Sequence, residues 1–298
     1  MPVRPLLAAA LALLPTGLWA SEDLPAEVLA VRAAATPYQD IEIARLNGWI
    51  RFGAPAALLG QHYAHRDRPD YAADAPLNPN RASNLLYAEI GGQDVLVALA
   101  FNYRLSDRDV VPDGFQGEDD IWHVHGLEPP QTDPRDRSLW QRLTSLIWAP
   151  DPLADPDVTP ERQVMVHVWT IPNPDGPFAS HNRALAYLQH GLPAAWADGA
   201  SVEAALGLAL AAPNGCAIEI DEDAGIAGLP RAATQALHAA CRDITDRVRA
   251  SLGSPASANA AGEAAWRAYA AFRDQTLTPI ERLRIASLGG GALGALCR

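Results

Sequence analysis

Three histidines in two short β-type runs are the residues of this chain whose spacing points most directly to chemistry. The first run, 121–126, reads IWHVHG, and the second, 164–169, reads VMVHVW. Side chains alternate between the two faces of a strand, so His123 and His125 should point the same way. His167 lies in the second run, and the three imidazoles converge if the two strands are neighbours with these faces aligned. Neutral imidazoles in such a cluster are typical ligands of zinc or copper.

Three further histidines are candidates to complete this site. His181 follows the Pro- and Gly-containing segment 172–180, which can fold back over the end of the second strand. His62 and His65 are three positions apart and would project from one face if their run is helical. The sequence therefore predicts a zinc or copper site whose ligands are His123, His125 and His167, with His181, His62 or His65 completing it.

These histidines also have ordinary structural explanations. A buried imidazole can be satisfied by a backbone carbonyl, and two histidines on a surface strand need no ion. Carboxylates flank the first run and could act as a general base on a metal-bound water, although a charged run before a strand is more often a solvated turn. They are Glu118, Asp119, Asp120 and Glu128.

Three classes of function follow. The first is a metal-binding protein that stores, senses or delivers zinc or copper. The second is a metal-dependent enzyme, cupin-like or a hydrolase, that uses the same histidines with a carboxylate as general base. The third is a structural or interaction protein whose histidines satisfy one another. The sequence contains no G-x-S-x-G, no H-E-x-x-H, no P-loop and no G-x-G-x-x-G that follows a strand. It also has no Met-rich tract of the kind expected in Cu(I) carriers.

One pair of motifs resembles the cupin family. The spacing of Gly117, His123, His125 and Glu128 is similar to the first cupin motif, in which a glycine, H-x-H and a glutamate line a metal site in a small β-barrel. Pro174-Asp-Gly176 ahead of His181 is similar to the second motif. The glutamate comes early and His181 comes two residues late. The resemblance covers about 65 residues and implies metal-dependent chemistry at these histidines.

The N-terminus has the pattern of a secretory signal peptide. Arg4 precedes an apolar stretch over residues 6–14, and small residues stand at a cleavage point between Ala20 and Ser21. The apolar stretch is too short to span a bilayer. We expect a mature chain that begins near Ser21, has no transmembrane segment and is periplasmic or secreted.

The net charge and the cysteine content indicate which classes of partner and which cellular compartment to expect. The formal net charge is −12 and no basic run is present, which argues against nucleic acid as a partner. In an oxidising compartment two of the three cysteines can form a disulfide. The preferred pair is Cys216–Cys241, because Cys297 sits on a Gly-rich tail; the alternative is that none is bonded.

The histidine runs require a sheet to position them. The segments 85–90 and 93–104, joined by Gly91-Gly92, predict a hairpin. In its second arm one face is predicted to carry Val95, Val97, Leu99, Phe101 and Tyr103, and the other face is also apolar, as in a central strand buried on both sides. Residues 84–171 should therefore hold at least four strands of a largely antiparallel sheet.

Helices are predicted on either side of this sheet. Residues 24–50 and 138–148 have helical periodicity, and Ser180 is a candidate N-cap for a helix over 182–190. From Leu192 onward the chain is Ala-rich, with predicted helices at about 194–211, 230–252, 258–276 and 279–287 and a short strand at 216–220. The expected fold is a single α+β domain over residues 21–298, with a sheet core at 84–171 and a helical part at 192–298.

Overall fold

The computed structural model describes residues 25–106, 109–115, 122–126, 161–220 and 228–282. Within these ranges it shows the expected α+β fold, in which a seven-stranded, largely antiparallel sheet is combined with helices. The predicted signal peptide, the predicted helix at 138–148 and the four carboxylates around the first histidine run lie outside the described residues. None of the helices among the described residues is both long and apolar enough to cross a membrane.

The strands follow the order β1-β2-β4-β5-β7-β6, with the short β3 pairing in parallel to β5. Their bounds are β1 Trp49–Ala56, β2 Gly60–His65, β3 Tyr71–Ala72, β4 Asn84–Ile90, β5 Gln93–Ser106, β6 His123–Gly126 and β7 Glu161–Trp169. The two histidine runs are therefore neighbours, because β6 and β7 pair antiparallel.

The predicted hairpin is β4–β5. Gly91 and Gly92 both have positive φ angles, 62° and 77°, which is the backbone that a two-residue turn with right-handed twist requires. The prediction that Val97 shares a face with Leu99 was wrong in detail. The register shifts here, since Leu86 pairs with Ala98 but Tyr87 pairs with Leu96, so Val97 is an extra residue and the alternation changes phase.

Two N-terminal helices cover one face of the sheet. The helices are α1 (Ala26–Ala35) and α2 (Ile41–Leu46), separated by a short 3-10 turn at Thr36–Tyr38. Val28 and Val31 of α1 pack with Phe101 and Val166 of the central strands. The predicted helical stretch 24–50 therefore ends early, because Trp49 already begins β1, where its buried side chain joins the same cluster.

The other face of the sheet meets the C-terminal helices. These are α3 (Arg183–Gln189), α4 (Val202–Ala211), α5 (Arg231–Arg249) and α6 (Pro255–Thr276), with a 3-10 turn at Ala194–Ala197. In α3, Leu185 packs against the sheet while Tyr187 packs into the helical cluster. This short helix thus connects the two layers.

Local sequence signals set most of the helix starts. Ser201 and Ser254 cap α4 and α6 through their hydroxyls, and Pro255 occupies the first turn of α6. The cap of α3 is Asn182 rather than the predicted Ser180, because the Asn182 side chain accepts the Ala184 N–H at 2.9 Å. Residues 216–220, predicted as a strand, are helical.

The predicted disulfide between Cys216 and Cys241 is present. It joins the short helical segment 215–220 to the middle of α5, where Cys241 is fully buried. Cys297 lies outside the described residues.

Candidate functional site

His62, His123 and His167 lie on the same face of the sheet. The register pairs His62 with Leu86, Leu86 with Ala98, and Ala100 with His167, and side chains directly opposite one another share a face. His123 is opposite Met165, two residues before His167 on β7, so His123 and His167 also share a face.

The imidazole rings of these three residues are close together. The ring centroids of His123 and His167 are 4.7 Å apart, and those of His62 and His167 are 6.0 Å apart. Strands β4 and β5 separate His62 from His167, a span of about 14 Å in a flat sheet. The distance of 6.0 Å between the ring centroids is therefore much shorter than the strand spacing alone would give.

A hydrogen bond fixes the orientation of the His167 ring. Its Nδ1 lies 3.0 Å from the carbonyl oxygen of Ser180. Because a carbonyl oxygen only accepts, Nδ1 carries the proton, and in the neutral ring the lone pair is on Nε2. Backbone carbonyls hold metal-ligating histidines in this way in many sites. His167 is almost completely buried, with 1 % of its surface exposed.

The loop after β7 folds back over the strand, as predicted. The indole Nε1 of Trp169 donates to the Ala179 carbonyl at 2.7 Å, and this brings Ser180 beside His167. His181 follows directly, and its Nδ1 lies 3.2 Å from the Ser180 hydroxyl. Burial lowers the pKa of His181 below the ordinary histidine value, with a smaller opposing effect from Asp175, so the ring is neutral at pH 7.

His125 is on β6 opposite Gln163, which puts its backbone position on the same face as His123. Its side chain is outside what the structure describes. Its contribution to the site therefore stays a prediction.

His65 is positioned differently from His62. The run that contains both residues forms strand β2 rather than a helix, so a separation of three places them on opposite faces. The His65 ring packs edge-on against Trp49, with centroids 5.2 Å apart. Its Nε2 donates to the Asn47 carbonyl at 2.6 Å and its Nδ1 accepts the Asp67 N–H at 3.0 Å. His65 therefore uses both ring nitrogens in hydrogen bonds within the fold and stabilises the start of β1.

Within the described part of the chain, no three His, Cys, Asp or Glu side chains form a group that could hold a metal ion. Comparison with protein-family models, curated proteins and solved structures finds no match. The functional interpretation therefore rests on this chain's own residues.

A second feature is a cavity of about 350 Å³ between the β1–β2 hairpin and helix α4. Its polar lining includes Arg45 and Arg51, and the Arg51 Nε donates to Gln61 at 2.6 Å. Gln61 points to the face of β2 opposite His62, so this cavity is separate from the histidine cluster. Sequence reasoning missed it because its walls come from segments more than 100 residues apart.

Proposed function

We propose that the protein is an exported metal-binding protein whose zinc or copper site is centred on His123 and His167, with His62 as the next ligand. The observation that carries this proposal is the approach of the two rings to 4.7 Å between centroids. Two imidazole nitrogens bound to one ion at about 2.0–2.1 Å lie roughly 3.3 Å apart in a tetrahedral site. A distance of 4.7 Å between the ring centroids is of the size that two imidazoles bound to one ion require.

The tautomer of His167 supports the same interpretation. Its proton is on Nδ1, held by the Ser180 carbonyl, so Nε2 has the lone pair that a metal needs. His65, by contrast, uses both nitrogens within the fold. The proposal includes His62 because its ring lies 6.0 Å from that of His167 on the same face, and it leaves out His65 because that residue is on the opposite face of β2.

Asn102 adds a polar group to the same face. It pairs with Met165, which in turn pairs with His123, so the three side chains form one row across β5, β7 and β6. Asn102 is 3 % exposed, and its Oδ1 has no hydrogen-bond partner among the described residues. An unsatisfied buried acceptor costs about 1–3 kcal/mol. A metal-bound water that donates to this oxygen would remove that cost.

Export is the second part of the proposal. It is supported by the signal-peptide pattern before Ser21 and by the Cys216–Cys241 disulfide, a bond typical of oxidising compartments. N-terminal sequencing of protein recovered from the periplasm tests it, with Ser21 as the expected first residue. Recovery of chains that begin at Met1 would contradict it.

The metal site is tested by measuring zinc and copper affinity for single histidine variants. We expect His123→Ala and His167→Ala to lose more than the about 10–100-fold that removal of an outer-shell partner costs. His62→Ala should weaken binding, whereas His65→Ala, on the opposite face of the same strand, should not. His238→Ala in α5 is a second control.

The following results would contradict the proposed histidine site. If His167→Ala binds as the parent does while His123→Ala does not, the two strands do not share an ion. If every variant behaves like the parent, or the parent binds neither metal, the histidines are core residues and the interaction-protein hypothesis is preferred.

A further inference from the structure

Met165 lies on the same face of the sheet as His123 and His167, and its thioether sulfur is a group that can bind a metal ion. The chain has two methionines, Met1 and Met165. Met165 is directly opposite His123 in the β6–β7 register, which places their Cβ atoms about 4.5–5.5 Å apart. It also precedes His167 by two residues on β7, so its side chain is on the same face.

We infer that the Met165 thioether is a third donor at the proposed site and makes it selective for Cu(I) over zinc. Imidazole binds both metals, whereas a thioether is a soft ligand that favours Cu(I). Zinc sites in proteins are usually built from four donors, with carboxylates and thiolates as the common additions to histidine. Two imidazoles and one thioether form a donor set that suits the soft Cu(I) ion. This inference rests on the proposed function.

Burial supports a defined position for the sulfur. Met165 is 6 % exposed and packs in a cluster with Ala100 and Trp169. Ala100 is the cross-strand neighbour of His167, so Met165 and the His167 ring border the same small side chain. Methionine in a core is otherwise a flexible apolar filler, and the test has to separate these two roles.

The first test compares Cu(I) and Zn(II) affinity in the full mature chain and in Met165→Leu. Leucine keeps the apolar volume and removes the sulfur. Competition with a chromophoric Cu(I) chelator under anaerobic, reducing conditions measures the first affinity, and competition with a zinc dye measures the second. We expect Cu(I) affinity to fall by more than the about 10–100-fold that removal of an outer-shell partner costs, while zinc affinity stays at the parent value.

The second test uses selenomethionine, because Met165 is the one methionine beyond the initiator. X-ray absorption at the selenium edge of the labelled, Cu(I)-loaded mature protein should show a copper neighbour, and the same labelled protein without copper should not. A selenium environment of carbon atoms alone would overturn the inference.

The affinity results separate this inference from the proposal beneath it. If the parent binds both metals and Met165→Leu binds Cu(I) equally well, the histidine site stands and the thioether is not a ligand. If Met165→Leu weakens both metals to the same extent and lowers the unfolding temperature, Met165 is a packing residue and the inference fails. If the parent binds neither metal, the proposed function has failed and this inference with it.

Discussion

At the scale of single residues, the roles of the histidines are distinguished by which ring nitrogen the fold uses. His65 has both nitrogens in short bonds to the backbone, and His190 donates from Nε2 to the Leu208 carbonyl at 2.8 Å. His167 is held through Nδ1 by the Ser180 carbonyl. Such a bond orients a metal-ligating histidine, and His167 differs from His190 because its ring centroid lies 4.7 Å from that of a second imidazole, His123.

His190 should make stability depend on pH. Burial lowers the pKa of His190 below the ordinary value of 6.5. The hydrogen bond to the Leu208 carbonyl raises this pKa by a smaller amount, and the positive charge of nearby Arg249 lowers it further. The unfolded chain therefore takes up a proton more readily than the folded one, so stability is complete above about pH 6.5 and falls as the pH decreases below that value.

The variant His190→Gln tests this effect because it keeps a donor near the Nε2 position and does not titrate. We expect its free energy of unfolding, from urea titrations in the presence of a chelator, to change less between pH 7 and pH 5 than that of the parent. Burial lowers the pKa of His181 as well, so part of the slope remains. Equal slopes for parent and variant would contradict the assignment.

At the scale of secondary structure, the crossing of α4 and α6 depends on two glycines. Every residue of α4 from Ala204 to Ala211 is buried, which makes it the central helix of the C-terminal part. A Cβ added at Gly207 would overlap the Gly262 carbonyl, and one added at Gly262 would overlap the Ala204 carbonyl. The backbones of these helices are therefore in direct contact.

Gly207→Ala should destabilise the protein by about 3 kcal/mol or more, the upper end of overpacking effects, because the obstacle is backbone and cannot rotate away. Gly253→Ala, where a Cβ meets nothing within 4 Å, is the matched control and should change stability by less than about 0.5 kcal/mol. Chemical denaturation of the two variants measures the difference. Similar denaturation midpoints for both variants would show that α4 and α6 can move apart without a loss of folding free energy.

The elements that sequence predicted well are those whose signals are local. The β4–β5 hairpin has its turn in two adjacent glycines, and the caps of α4 and α6 are serines directly before the helices. The β-bulge at Val97 and the strand character of His62 were missed because both depend on pairing with a neighbouring strand and not on a local signal. The sequence could indicate that His123 and His167 are neighbours because both lie in β-type runs. The 6.0 Å approach of the His62 ring depends on the pairing of β2 with β4, which no local signal predicts.

At the scale of the whole molecule, the sheet lies between two groups of helices held in different ways. α1 and α2 pack onto one face through apolar side chains. The C-terminal helices contact the other face through α3, and a covalent bond between Cys216 and Cys241 ties segment 215–220 to α5. The helical part is therefore cross-linked internally, whereas the N-terminal helices are held by apolar packing.

Reduction of this disulfide should cost about 3 kcal/mol, because the two cysteines are 25 residues apart and the bond restricts that loop in the unfolded chain. We expect exported protein to unfold at higher denaturant concentration than the same protein treated with a reductant under denaturing conditions and refolded. The double variant Cys216→Ala/Cys241→Ala should resemble the reduced form and show no further response to reductant. Metal affinity at the histidine face should persist in both, because α3 and the sheet do not include the disulfide. If reduction leaves the unfolding midpoint unchanged, the disulfide does not stabilise the helical part. If reduction abolishes metal binding, the sheet and the C-terminal helices are coupled more tightly than the contacts of α3 imply.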